Sequence, residues 1–372
     1  MHWERASEDI YIFTSDRYAQ VTASLIVSGN TGILIDTLPF PTETAQIALF
    51  ARKRCPDGVR FVVYTGHEAD HVYGAFLFPR AEIIAHETCR NVLIERGFAS
   101  LERAKTQSQE FAPVQLRLPT FTFKGGSTTL RMPGKTLEII HTPGHTADSV
   151  SVLLHEERIL FAGDTVMALP TIASGDSDLL KQSLEMIAGM QLENIVQGHG
   201  EMILRGEIKD NMKRATNYLD NVRAKVQKVI DANGKRDEVK AITIEQCGMQ
   251  RVLLNGMVVA LHQANVLALF DRMMVEQGKV VATPPEPVAP AKPAKAKSNS
   301  AAKTSVAKAS VAKAPAPKPA QKPAAKKTAN KPPAAGGKPA KKTDAKAPST
   351  KTAAKTAGKS PAAGGKPASK GR

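Results

Sequence analysis

The chain has 372 residues and a formal charge of +16, but the charge is unevenly placed: from Val281 onward there are 21 Lys and Arg against two acidic residues, while the first 280 residues carry a net −3. A mildly acidic body with a strongly basic end excludes a second globule made from that end, and excludes a basic body as the source of the alkaline balance. The opening MHWERASEDIYIF lacks a cationic-then-apolar leader pattern, RVLLNGMVVALHQANVLALF is interrupted by Asn255, His262, Gln263 and Asn265, and three scattered cysteines (Cys55, Cys89, Cys247) fit neither a disulfide framework nor a zinc ribbon. A protein of the reducing cytoplasm with no membrane span is therefore expected.

In chain order, YAQVTASLIVSG and TGILIDT are β-rich runs separated by Asn30, a hairpin signal. A helix is predicted over about Thr42 to Lys53, then a buried strand VRFVVYT, which leads into the polar stretch GHEADH at Gly66 to His71. AEIIAH and a helix near Glu87 to Arg96 repeat the strand-then-helix rhythm. Strands follow in LRLPTFTF, STTLRM, TLEIIHT, SVSVLLHEE and RILFAGD. A helix around Leu179 to Met190, the strand ENIVQG and two long helices complete the body, the last with an apolar face at Val266, Phe270, Met273 and Met274. Two βα-containing halves meeting sheet to sheet predict a layered α/β domain over residues 1–279.

Candidate ligands recur at four strand ends: Glu68, Asp70 and His71 after FVVYT, His145 in HTPGHTADS, Asp164 in LFAGDTV, and His199 in IVQGHGE. Adjacent glycines let the backbone turn tightly and approach an ion or substrate. Histidine with carboxylate suits a divalent first-row metal.

The ordered set DH, TPGHT, FAGDT and GHG resembles the metallo-β-lactamase superfamily over about Ile10 to Gly200, with LIDT matching an early strand. The resemblance implies a four-layer αβ/βα sandwich with one or two divalent ions at one sheet edge, zinc first, iron or manganese as alternatives. It implies one site of Asp70, His71 and His199, a second receiving His145, and Asp164 shared by both. The family's His-x-His-x-Asp-His pattern is altered here, with Gly66 at the first histidine and Glu68 at the second. Glutamate there is similar to flavodiiron proteins, so Glu68 is expected as a ligand of the second site. His67, one residue out of register, is expected to point away from Glu68 and Asp70. A third carboxylate lowers the net charge of a two-ion site, which should raise the pKa of bound water and favour iron or manganese.

Asp36 is expected to hydrogen-bond a ligand. His86, Cys89, His141, His262 and Asn265 read as packing or structural hydrogen-bonding residues, and Tyr73 divides between cleft lining and packing. The leading functional expectation is a hydrolase in which a metal-bound hydroxide attacks an ester, thioester, lactone or phosphoester of a small molecule, with Asp70 orienting the water. The alternatives are a diiron redox protein, and a catalytically weak metal-binding module held on nucleic acid by its tail.

That tail, 280–372, is Lys, Ala and Pro with no Leu, Ile, Met or aromatic residue, and PAAGGKPA occurs twice, at Pro333 to Ala340 and Pro361 to Ala368. It buries too little apolar surface to offset the entropy of ordering, so disorder is expected. In composition it is similar to the tail of linker histones. Its lysines are expected to bind nucleic acid or another polyanion without sequence preference, which would associate a cytoplasmic protein with a nucleoid. The sequence does not indicate an oligomeric state.

Overall fold

The computed structural model describes residues 1–279; the predicted basic tail lies outside the described residues. The first half forms β1 (His2–Ser7), β2 (Ile10–Thr14), β3 (Thr22–Ser28), β4 (Thr31–Ile35), α1 (Pro41–Arg54), β5 (Val59–Val63), the one-turn α2 (Ala69–Val72), β6 (Glu82–His86), α3 (Glu87–Val92), α4 (Phe98–Gln107) and β7 (Phe121–Phe123). Its seven strands lie side by side in sequence order, antiparallel from β1 to β4 and parallel from β4 to β7.

The second half supplies β8 (Ser127–Met132), β9 (Lys135–His141), β10 (Val150–Leu154), β11 (Ile159–Phe161), α5 (Ser177–Ala188), β12 (Asn194–Val196), β13 (Ile203–Leu204), α6 (Ile208–Asp231) and α7 (Val258–Glu276). Its six strands run in the order β13-β12-β11-β10-β9-β8.

Period-two side chains divide each inner strand between two cores. In β2, Ile10 and Ile12 face the second sheet, while Tyr11 and Phe13 face α1. Between the sheets, Ile26, Ile33 and Val63 share a core with Ile139, Val152 and Phe161. On the far side, Leu180, Leu184 and Ile187 of α5 and Met212, Leu219, Val222 and Val226 of α6 cover the second sheet. The spacing of three and four along α6 is that of an amphipathic helix, and each such buried aliphatic contributes about 1.5–3 kcal/mol. The result is the expected αβ/βα sandwich.

Several boundaries differ from the sequence reading. β1 and β2 were not expected as strands; β1 is an exposed edge whose polar side chains carry no alternation. LRLPTFTF yields only Phe121–Phe123, because Pro119 breaks the run and Arg117 donates to the carbonyls of Phe78 and Ala81 instead. The helix after β6 continues through a π turn, Leu93–Gly97, into α4, which was not expected. α5 begins earlier than predicted because Asp176 caps it, accepting from the amides of Asp178 and Leu179. Among the described residues α7 is long and apolar enough to cross a bilayer, but Val266, Leu269, Phe270 and Met273 are packed in the α5–α6 core.

Candidate metal centre

All six predicted ligand residues converge at one edge of the sandwich, each delivered by the loop that follows a strand. After β5 the chain turns through Thr65 and Gly66, and α2 projects Asp70 and His71 from a single turn. His145 follows β9, Asp164 sits in the tight turn Gly163–Thr165 after β11, and His199 follows β12.

The turns are as close as the sequence pattern implied. A Cβ on Gly198 would lie 2.0 Å from Asp164 Oδ1, and one on Gly144, whose φ is +141°, would lie 2.2 Å from the backbone of Leu180. Only glycine allows the Asp164 carboxylate and the His145 loop to occupy these places.

Asp164 is the hub. Its Oδ2 lies 3.2 Å from His71 Nε2 and 3.3 Å from His145 Nε2, and its Oδ1 lies 3.5 Å from His199 Nε2. Asp70 Oδ2 is 3.2 Å from His199 Nε2, its Oδ1 is 3.9 Å from His71 Nε2, and Glu68 Oε2 is 2.6 Å from His145 Nε2. Asp70, His71 and His199 form one ligand-like triplet, and Glu68, His71 and Asp164 another. The second triplet differs from the expected grouping in sharing His71; His145 joins it through its contacts to Glu68 and Asp164.

Each histidine is held by its other nitrogen. His71 Nδ1 donates to Asp36 Oδ2 at 2.9 Å, His145 Nδ1 to the carbonyl of Thr171 at 2.9 Å, and His199 Nδ1 to the carbonyl of Ala19 at 2.9 Å. This fixes the tautomer and turns all three Nε2 atoms inward. Asp36 is itself buried and accepts from the amide and hydroxyl of Thr65 at 2.8 and 2.6 Å, so its expected supporting position holds.

The donor set fits a divalent cation. His71 Nε2 and Asp164 Oδ1 are buried and have no hydrogen-bond partner among the described residues. Such atoms are costly unless something satisfies them. Electrostatics point the same way. Burial disfavours charge on His145, yet the Glu68 and Asp164 carboxylates outweigh it and push its pKa up to about 10. Burial likewise opposes charge on His71 and His199, and is outweighed by Asp36, Asp164 and Asp70 around His71 and by Asp164 and Asp70 around His199; both pKa values are raised. Burial would raise the carboxyl of Asp164, but His199, His71 and His145 hold it far below the usual range. The pocket attracts positive charge, as protons or as metal.

The remaining predictions divide cleanly. His67 turns away and pairs with buried Asp148 at 2.8 Å, so it is no substitute ligand. His141 stacks on His86 with ring centroids 4.0 Å apart, and His86 Nδ1 caps α3 by accepting from the Thr88 amide. Cys89 is buried. His262 and Asn265 bind Tyr218 and backbone carbonyls inside the α6–α7 core. Tyr73 packs edge-on against Phe111 and is buried. Sequence reasoning passed over Asp148, three residues beyond His145, and the carbonyls of Ala19 and Thr171, for which side-chain identity carries no signal.

Residues 17–199 match the family model described as the Metallo-beta-lactamase superfamily. The chain is 23% identical over 221 residues to a Beta-lactamase-like protein 2 homolog of Caenorhabditis elegans, covering 59% of this chain and 68% of that one. It is 28% identical over 141 residues to an Atrochrysone carboxyl ACP thioesterase of Aspergillus fumigatus, covering 38% of this chain and 40% of that one. The chain thus spans less than half of the fungal relative. Among solved structures, a metallo-beta-lactamase family protein of Thermus thermophilus matches with a TM-score of 0.56 at 17% identity, over 74% of this chain and 95% of that one. The sec-alkylsulfatase Pisa1 of a Pseudomonas species matches with a TM-score of 0.59 at 14% identity, over 73% and 50%. At these identities the structural likeness is one of fold.

Proposed function

Taking as premise that this chain is a hydrolase-type enzyme of the metallo-β-lactamase superfamily, matched over residues 17–199, we propose that it hydrolyses an acyl ester or thioester of a small molecule. The observation that carries the reading is the convergence of three inward-facing Nε2 atoms on Asp164, with Asp70 and Glu68 beside them. The thioester preference draws on the activity in the fungal relative's name, a carboxyl ACP thioesterase.

Asp70, His71, His199 and Asp164 would hold one ion, and Glu68, with His145 and the shared Asp164, a second, with zinc as the leading identity. Bound there, a divalent ion supplies Lewis acidity and an acidified water as nucleophile. The protein's own contribution is orientation. Asp36, Thr171 and Ala19 lock the three imidazoles, so no reorganisation is needed when charge develops. Asp70, with one oxygen 3.2 Å from His199 Nε2, would accept a hydrogen bond from an attacking water and keep it in line. Glu68, a third exposed where the other five are buried, is the carboxylate best placed to pass a proton to solvent or to a departing group. A second reading, a diiron redox centre, draws on the oxygen-rich set around Glu68.

The test uses full-length protein assayed against aryl esters and acyl thioesters before and after chelation, then after return of zinc, iron or manganese. Turnover that falls with chelation and returns with zinc supports the hydrolytic reading. Restoration by iron alone, together with oxygen consumption, would replace it with the redox one.

The tail belongs to a separate proposal. Its 21 Lys and Arg would bind nucleic acid or another polyanion through phosphate contacts, leaving the site to a small molecule.

A further inference from the structure

The β2–β3 connection, Ser15 to Val21, sits against the metal centre in a conformation that its sequence does not favour. Ala19 and Gln20 both have positive φ, 45° and 52°, although neither is glycine. Two consecutive left-handed residues cost roughly 1–2 kcal/mol each, and survive only where their surroundings over-determine them. Here they do. Ser15 Oγ accepts from the amides of Arg17 and Tyr18 at 3.1 Å each and donates to buried Glu43 at 2.7 Å. Val21 closes the turn by donating to the carbonyl of Tyr18 at 2.9 Å. Across the gap, Ala19 accepts from His199 Nδ1, the carbonyl of Gln20 accepts from the amide of Gly200 at 3.0 Å, and Thr22 donates to the carbonyl of Gly198 at 2.9 Å. The turn is clamped to the loop that carries His199.

What the clamp presents is Tyr18. Its ring packs against the α1-side core and stands edge-on to the His199 imidazole, centroids 6.2 Å apart. Tyr11, Tyr64 and Tyr218 each spend their hydroxyl on an internal partner, and Tyr73, whose hydroxyl is also without one among the described residues, packs against Phe111 rather than against a ligand imidazole. The Tyr18 hydroxyl has no hydrogen-bond partner among the described residues, and it is not among the polar atoms sealed from solvent. The Tyr18 phenol therefore carries an O–H donor that no internal acceptor uses. A rigidly held, unspent donor beside the ligand cluster lacks an acceptor, and a substrate oxygen can supply one.

Building on the hydrolytic reading above, we infer that Tyr18 is a catalytic residue whose phenol O–H donates a hydrogen bond to the acyl oxygen of the substrate. As the attacking water forms its bond to the carbonyl carbon, the carbonyl π pair moves onto that oxygen, and Tyr18 stabilises the developing charge without transferring its proton. The pair then returns, the bond to the leaving sulfur or oxygen breaks, and the leaving group takes up the proton lost by water. The products are a carboxylic acid and a thiol or alcohol.

The experiment compares wild-type full-length protein with Tyr18→Phe, which keeps the ring and removes only the hydroxyl. Three quantities are read: zinc content, kcat and KM on an aryl thioester, and calorimetric affinity for an alkylphosphonate monoester, a stable mimic of the tetrahedral oxyanion. Tyr18→Phe is expected to keep wild-type zinc content and a KM within about twofold. It should lose about 10²-fold in kcat and about tenfold in phosphonate affinity, as deletion of one oxyanion donor does. Unchanged kcat and phosphonate affinity would overturn the assignment. Loss of zinc in Tyr18→Phe would also overturn it, since the hydroxyl would then be supporting the centre. A wild-type protein that turns over no ester or thioester, yet binds phosphonate more tightly than Tyr18→Phe, would remove the hydrolytic reading and leave Tyr18 as an oxyanion contact.

Discussion

Gly198→Ala is the smallest change that should dismantle the centre. The new Cβ would sit 2.0 Å from Asp164 Oδ1, 2.6 Å from the carbonyl carbon of Gly163 and 2.8 Å from the Asp164 amide, against about 3.4 Å for an ordinary contact. Two of these three neighbours are backbone, which cannot step aside alone, so the Asp164 carboxylate must retreat by more than 1 Å. Ligation tolerates about 0.2 Å in bond length, and every histidine of the cluster meets this one carboxylate. Overpacking should cost about 1–3 kcal/mol in stability, and metal affinity should fall by at least about 10²-fold. Zinc titration against a competing chelator, with thermal denaturation alongside, gives both numbers. Gly66→Ala is the control: a Cβ there meets nothing within 4 Å, and that variant should bind as wild type does. A Gly198→Ala protein with wild-type zinc affinity would refute the packing argument.

Restoring the family pattern with Gly66→His and Glu68→His should raise zinc stoichiometry towards two per chain and move the pH–rate profile down, because one carboxylate is exchanged for two neutral donors; metal analysis and a pH series check this. Asp148→Asn should destabilise the fold by about 2 kcal/mol at pH 7, since burial opposes its charge but the hydrogen bond from His67 holds its pKa down to about 2. The Asp148 contribution is present above its ordinary carboxylate pKa and should fade as pH falls through about 2. The His67 contribution runs the other way: burial opposes its charge, Asp148 outweighs it, and stability present below pH 6.5 should be lost as pH rises through the raised value. Denaturation midpoints across pH would show both limbs. Truncation after Gly278 should leave metal content and any turnover intact and abolish the proposed nucleic-acid binding, which in the full chain should weaken steeply with salt; retained tight binding would put the interface on residues 1–278.

The sheets and the six converging side chains were legible because each is written in local pattern. Alternation in TASLIVS and TGILI names the faces, and glycine beside His145, Asp164 and His199 marks a tight turn at a strand end. The edge strand β1 was hidden because a solvated edge has no apolar face to alternate, and α4 because FASLERAKTQ buries only Leu101 and Ala104. His67 was placed correctly by the same alternation, but its partner was not, since Asp148 arrives from the other sheet half. The sharing of His71 between the two triplets depends on side-chain reach within about 1 Å, which spacing does not encode. The Tyr18 turn was invisible for a further reason: YAQV reads as strand, and it takes the distant Ser15–Glu43 contact and the clamp to the His199 loop to hold Ala19 and Gln20 left-handed.

Whether Asp164 is the shared anchor of a divalent metal centre is decided by elemental analysis of purified full-length wild type and Asp164→Ala, reading every first-row metal per chain. Wild type should carry one to two equivalents of divalent metal, zinc leading, and a folded Asp164→Ala protein should lose most of it. Full metal content in that variant, or a wild type that takes up no metal when supplied with zinc, iron and manganese in turn, would contradict that role.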